Sequence, residues 1–494
     1  DRHKPPRQGA RAMPLTPQLQ LIMKKIILAT VTVVLVAVLA ALPWWFGHET
    51  EKHFRALLKA SADHGELTAE LVRYERGWLR TSAETVHRHP TAPLELRLRH
   101  DIHHGPLPFG KGGPTGLQLA RVESRLSLHS SDVRLQGELK QIPAIESVTA
   151  IGLDGQSVMR LNQPAWTRPG KPVLVWDGLS GEIRFDRELK NLYTDVHMPG
   201  ASLTHERTEF MRIDNLRFKS ELRRGVADLY LGDSHFTVDR FVLRPPSPAT
   251  PVELHGLLVG SKVLASGPDT VDMTVHYTLR EARLEGGHHG PSELLLELRR
   301  LDAAALKGFE KQLKQMAQRG APMEQASLMM VGKSLELLGM LARRSPELEI
   351  KRLSLKSGMG EITGRAKLVI DGSRANIAEN PLLLLTAVRG DAELRVPAGY
   401  VRPLLAPIIR QDIQTLSQGK RVGREDMKSL SPQRLNAIID ESIPHYLSRH
   451  PLTRHLVADG DHFRLHATLQ RGELLINGQP WTGGAPLPLV KSAP

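Results

Sequence analysis

The sequence predicts an α+β protein: one N-terminal transmembrane helix, then a β-rich antiparallel body with a helical segment in its C-terminal half. Three observations carry this. No charged side chain occurs from Ile26 to Phe46. Much of the following chain alternates apolar and polar residues, most cleanly where Val271, Met273, Val275, Tyr277 and Leu279 are separated by Asp272, Thr274, His276 and Thr278. That period of two puts one set of side chains on each face of a strand. From Asp302 the period lengthens to that of a helix, with Leu306, Phe309, Leu313 and Met316 on one stripe.

The uncharged run comes first. At the rise of an α-helix it covers about 30 Å, the thickness of a bilayer's hydrocarbon. Ile26, Leu35 and Leu42 belong to its apolar body, and Trp44 and Trp45 fall where an aromatic belt meets the headgroups. Arg2, Lys4, Arg7, Arg11, Lys24 and Lys25 precede it against the single acid Asp1, which places the N-terminus in the cytoplasm and the bulk in the periplasm, across a bacterial inner membrane. A cleaved secretory signal is the competing reading, with Met23-Lys24-Lys25 as its basic region and Val38-Leu39-Ala40 as the cleavage triplet. Export of the body follows from either. Residues 1–22 read as a disordered extension or as translation upstream of Met23, and 23–47 as the anchor.

Residues 48–65 are expected to form a stalk helix, with Phe54, Leu57, Leu58 and Ala62 on one side. A β-rich region over 66–300 follows, with half-buried strands at Leu94/Leu96/Leu98, Val122/Ser124/Leu126/Leu128, Val133/Leu135/Gly137/Leu139 and Leu179/Gly181/Ile183/Phe185. Asp154-Gly155, Asp177-Gly178 and Asp371-Gly372 supply turns. An α+β region over 301–480 begins with a helix from Asp302 to Gly320 and a second over about 323–343, where Leu328, Val331, Leu335, Leu338 and Ala342 recur. Met323, Met329, Met330 and Met340 read as core filler. Strands resume at Leu348/Ile350, Leu353/Leu355 and Ile362 to Ile370. Helices follow at 398–418 and 431–447, then a hairpin from Phe463 to Ile476, then a loose tail over 481–494.

Composition narrows the function classes. Lys and Arg number 66 against 53 acids, a formal charge of +13. The cations are scattered through strand-like alternation and aromatics are only 4% of residues, so no basic, aromatic-interleaved patch points to nucleic acid. Anionic headgroups are the better partner for such a surface. With no cysteine, disulfides, thiolate metal sites and cysteine nucleophiles are excluded.

No cofactor, metal or catalytic residue is assigned. Gly332-Lys333-Ser334 lacks the upstream glycine of a phosphate loop and sits within a helix, while Gly358-Met359-Gly360 leads into a strand. His87 and His89 share a strand face but have no third ligand of defined spacing; His100/His103/His104 and His288/His289 have no better shell. Ser180 stands in a turn without a nearby base, and no pair of carboxylates is set apart by its spacing.

Several motifs remain: Tyr74-Glu-Arg-Gly-Trp78-Leu79, Ile102-His-His104-Gly105-Pro106-Leu107-Pro108, Trp176-Asp-Gly178-Leu-Ser-Gly181, Leu301-Asp302-Ala-Ala-Ala-Leu306, Gly360-Glu-Ile-Thr-Gly364 and Asn477-Gly478-Gln-Pro480. In this order they resemble the YdgA-like family of bacterial envelope proteins, a domain of unknown function, over nearly everything from Met23 onward. The Met- and Arg-rich middle helices and the extension before Met23 depart from the pattern. The resemblance implies an inner-membrane anchor, a large periplasmic β-rich body and a homodimer, and it implies no catalytic residue. Physically, the glycines suit tight turns and the tryptophans large packing areas. A functional reading has Tyr74, Trp78, His104, Pro106 and Pro108 lining a common mouth.

The expectation from the sequence is therefore a single-pass, membrane-anchored envelope protein without evident catalysis, binding a partner protein or a lipid-like ligand in envelope assembly or maintenance. A periplasmic hydrolase with a dispersed active site is the alternative.

Overall fold

The computed structural model describes residues 32, 41–61, 67–88, 94–108, 117–245, 250–284, 287–319, 323–373, 384–419, 432–449 and 455–481. Among the described residues strands greatly outnumber helices.

Long alternating segments joined by short turns pair with their sequence neighbours, and the result is one antiparallel meander. β1 (Thr68–Arg76), β2 (Arg80–Arg88), β3 (Leu94–His104), β4 (Ala120–Ser130), β5 (Ile145–Ile151) and β6 (Gln156–Gln163) pair in turn. The order is first interrupted where β7 (Trp166–Arg168) and β8 (Val173–Trp176) make a small hairpin before β9 (Leu179–Asp186) returns to β6. β10 (Asn191–His205) is long enough to hold β9 along its first half and β8 along its second. The meander then runs through β11 (Thr208–Arg224), β12 (Tyr230–Leu243), β13 (Val252–Ala265), β14 (Thr270–Leu284), β15 (Gly287–Asp302), β16 (Glu347–Ser357), β17 (Gly360–Ile370) and β18 (Val388–Pro397). β19 (Val457–Asp459) and β20 (His462–Gln470) form a hairpin whose second strand pairs with β18, and β21 (Glu473–Ile476) and β22 (Gln479–Pro480) close the sheet.

Helices are insertions into this meander. α1 (residues 41–61) precedes β1, and α2 (Val133–Leu139) lies between β4 and β5. α3 (Ala303–Arg319) and α4 (Met323–Ala342) interrupt β15 and β16. α5 (Leu384–Ala387) precedes β18, and α6 (Val401–Gly419) and α7 (Pro432–Arg449) separate β18 from β19. The helices expected after Asp302, at 323–343 and in the C-terminal region are thus present.

Three expectations are corrected. The fold is mostly antiparallel sheet where α+β was expected, and among the described residues no helix is long and apolar enough to cross a membrane. Of the residues assigned to that span, Ile26 and Leu35 lie outside the described residues; Leu42, Trp44 and Trp45 lie in the described part of α1, which also carries Glu49, Glu51, Lys52, Arg55 and Lys59. The Val133/Leu135/Gly137/Leu139 alternation is helical, because the Asp132 carboxylate accepts from the N–H groups of Arg134 and Leu135 and caps a helix there. The segment read as a stalk does not stand free. α1 lies against the sheet, with Phe46, Thr50 and His53 buried.

Candidate apolar face and its N-terminal end

Register converts the alternation into a two-sided surface. Val196, Phe218, Phe236, Val259, Tyr277, Leu294, Leu353, Gly364, Leu394 and Leu465 are successive cross-strand partners, one on each of β10 to β18 and one on β20. The row contains no polar side chain apart from the Tyr277 phenol. Next to it run Val275, Leu296, Ile350, Ala366, Ala392 and Ala467, again directly paired. The intervening residues face the other way and are laced by ion pairs, such as Asp195–Arg217 at 2.7 Å, Arg299–Glu349 at 3.2 Å and Arg365–Glu393 at 2.8 Å.

The apolar face is only partly covered. α3 and α4 pack on Val263, Met273 and Leu298 at one end of β13–β15, and α6 and α7 pack on Phe463. Between them Phe218 is 36% exposed and Tyr277 41%, while the other members of the first row are half-buried; Leu355, beside the row on β16, is 39% exposed. Side chains this large are ordinarily removed from water in a packed sheet.

The same row continues towards the N-terminus with a change of chemistry. Beyond Val196 come Gly181, Leu161, Ser147, Ser124, His100, Ala83 and Tyr74. Small and hydroxyl side chains here let α1 approach, and Phe54 of α1 packs 5.9 Å from the Tyr74 ring and edge-on, 5.2 Å, to the His100 ring. Three histidines are sealed beneath the helix. His100 bridges the hydroxyls of Thr85 (3.0 Å) and Ser124 (2.8 Å). The Nδ1–H of His104 donates to the Trp78 carbonyl at 3.1 Å, so its Nε2 accepts from the Thr81 hydroxyl at 2.8 Å. His53 of α1 meets the Ser157 hydroxyl at 3.3 Å. Burial pushes His53 down to about 4, helped by the Arg187 charge, and His100 to about 4, helped by His87. Burial also lowers His104, against the pull of the Trp78 carbonyl. Burial and the nearby Glu51 charge raise the Tyr74 phenol to about 12.

The residues expected to line a mouth do converge, but not as one open lining. The His104 N–H donates to the Leu79 carbonyl, Gly105 N–H to Leu119, and Gln118 N–H to Pro106, which ties the Tyr74–Trp78 turn to the loop after β3. Gly105 is required there, since a Cβ would sit 2.0 Å from the Gln118 carbonyl oxygen. Trp78 is exposed, Tyr74, Pro106 and Pro108 are half-buried, and His104 is buried. An open cleft of about 600 Å³ lies beside them, between α1 and the β5–β6 and β9–β10 turns, lined by Trp45, Phe46, His53, Leu119, Leu153 and Arg187 among others.

Other candidate chemistry stays dispersed. Ser157 is 1% exposed, and neither it nor His53 is hydrogen-bonded to a carboxylate among the described residues. Ser180 has His197 as its cross-strand neighbour, yet that ring is bonded to Asn215 at 2.7 Å. His87 meets the Thr85 hydroxyl, His89 lies outside the described residues, and His288 is bonded to Glu281. Lys333 lies within α4 and pairs with Glu336 at 2.6 Å. Among the described residues no group of three or more His, Asp or Glu is arranged to hold a metal ion.

His53, His100 and Ser157 were not legible as a set, because their partners are far away in sequence. A signal was present nonetheless: Thr81, Ala83, Thr85, Ala120 and Ser124 stand at strand positions where later strands carry Leu, Val or Phe.

A bacterial family of unknown function (DUF945) matches residues 23–482. No curated protein and no solved structure matches.

Proposed function

We propose, for a chain that belongs to the DUF945 family of bacterial proteins of unknown function, that it is a non-catalytic lipid-binding protein of the cell envelope whose apolar sheet face takes hydrocarbon chains. The observation that carries this reading is the uninterrupted apolar row from Val196 to Leu465, left half-exposed between its flanking helices.

Hydrocarbon suits the row better than an extended peptide. The main-chain groups of β10–β18 are engaged with their neighbours, and the row offers almost no polar side chain, so a peptide's N–H and C=O groups would lose water without gaining partners. A hydrocarbon chain has no such groups, and each CH₂ removed from water gains about 0.8 kcal/mol. Ten strands at their usual spacing extend about 43 Å, against about 15 Å of hydrocarbon in one leaflet. The face has room for more than one chain end to end.

Solvent extraction of the purified full-length protein, followed by mass spectrometry, tests this. Lipid recovered in stoichiometric amounts from the native chain, and lost from a Phe218→Ser/Tyr277→Ser variant, supports it. Equal recovery from both overturns it, as does a concentration-dependent doubling of mass that the same variant abolishes, which would make a second copy the occupant.

A further inference from the structure

The end of the sheet nearest the start of α1 carries a second apolar feature that does not belong to the sheet face. Trp44 and Trp45 on α1, Trp78 in the β1–β2 turn, Leu107 and Leu117 in the β3–β4 loop, and Leu153 in the β5–β6 turn are each more than half exposed. The meander brings them together, because these turns all lie at the same end of their strands. Hydrogen bonds tie neighbouring turns to one another, His104 N–H to Leu79 and Leu119 N–H to Ile151, and Gln118 N–H to Pro106 closes the β3–β4 loop. The Arg76 guanidinium sits 6.0 Å from the Trp44 ring, and Trp45, Leu119 and Leu153 line one cleft.

Separate prongs of Trp and Leu on adjoining turns differ from a flat protein interface. We infer that this end is a bilayer-contacting tip, whose Trp and Leu prongs enter the boundary between headgroups and acyl chains. Tryptophan is the residue type that partitions most readily to that depth. The chain itself points to a bilayer as occupant, since the uncharged residues 26–40 lead into α1 at this end. Charge around the tip is balanced: Arg80 pairs with Asp101 at 2.7 Å, Lys190 with Glu188 at 2.5 Å and Arg76 with Glu51 at 3.5 Å. Contact therefore rests on the apolar prongs, with little need for anionic lipid and little sensitivity to salt. The inference stands on the loop tips and is independent of what the sheet face binds.

The absence of native cysteine makes the test direct. Leu107→Cys, Leu117→Cys and Leu153→Cys chains, each labelled with an environment-sensitive fluorophore, are mixed with phosphatidylcholine vesicles with and without phosphatidylglycerol. A Val133→Cys chain reports from α2 at the opposite end, where the side chain is fully accessible. The expected result is a blue shift and quenching by brominated acyl chains at the three tip positions, in both lipid mixtures, with no change at position 133. Unshifted tip labels overturn the inference. So does an equal shift at position 133, which means the chain does not meet the bilayer end-on, or a tip shift already complete without vesicles, which means another protein copy covers the tip. None of these readouts depends on lipid being retained on the sheet face, so failure here and failure of the lipid-binding reading are distinguishable.

Discussion

His53 and Ser157, 104 positions apart in the chain, meet at 3.3 Å and pin α1 to the far side of the β1–β6 block. With His100 and His104 they make the contact between helix and sheet depend on neutral imidazole.

Acid should loosen this end of the molecule. His53 and His100 titrate near 4 when folded, against about 6.5 for an exposed histidine. The unfolded chain then binds more protons between those values, so stability is complete above about pH 6.5 and falls as pH drops towards 4. For the deeply buried His100 the full loss is about 3 kcal/mol. Thermal melts across that range should show the decline, and His53→Gln/His100→Gln should flatten it; an unchanged profile in the variant assigns the acid sensitivity elsewhere.

Gly105→Ala should be severely destabilising. The new Cβ would lie 2.0 Å from the Gln118 carbonyl oxygen and 2.9 Å from the Phe46 ring, so both the β3–β4 loop and α1 must shift. A loss of about 3 kcal/mol is expected, read from urea midpoints. A change below ~0.5 kcal/mol would show that the loop accommodates a side chain.

Replacing Phe218 and Tyr277 together by Ser should lower stability only modestly. Phe218 is 36% and Tyr277 41% exposed, so each substitution gives up only the buried part of a ring, about 1 kcal/mol per site. The effect should fall on retained lipid instead. A strongly lowered melting temperature in lipid-free protein would instead show that these rings serve the core.

Asp302→Ala should detach the helical hairpin from the sheet. One carboxylate oxygen accepts from the Ala305 N–H at 2.8 Å at the start of α3, and the other from Arg344 just after α4 at 3.1 Å. Loss of the cap alone costs about 1 kcal/mol. Hydrogen exchange should accelerate in α3 and α4 before it does in β14.

Much of the sheet was readable because alternation depends only on near neighbours: the pattern from Val271 to Leu279 is β14, and the hairpin from Phe463 to Ile476 is β20–β21. The helices after Asp302 were readable for the same reason. Register was not, because nothing local says that Phe218 faces Phe236 or that His100 faces Ser124. The 133–139 segment misled because seven residues alternating in polarity satisfy strand and helix about equally, and only the Asp132 cap separates them. The uncharged run obscured the fate of its own end, since Trp44 and Trp45 lie in a helix that docks on the sheet through Phe46 and His53. Tyr74, Trp78, His104, Pro106 and Pro108 were singled out as a motif, and they do adjoin one another, but the burial of His104 is a consequence of α1 that no motif records.

From β10 onward almost every strand leans only on the strands before and after it, and the small β7–β8 excursion is accommodated simply by a longer β10. In such an architecture, extent is a modular quantity. Adding or deleting one hairpin lengthens or shortens the sheet by two strand spacings, about 10 Å, without re-registering the rest. A chain built on this plan can therefore change its reach by whole increments while keeping the same cross-section, as a ruler is cut to length.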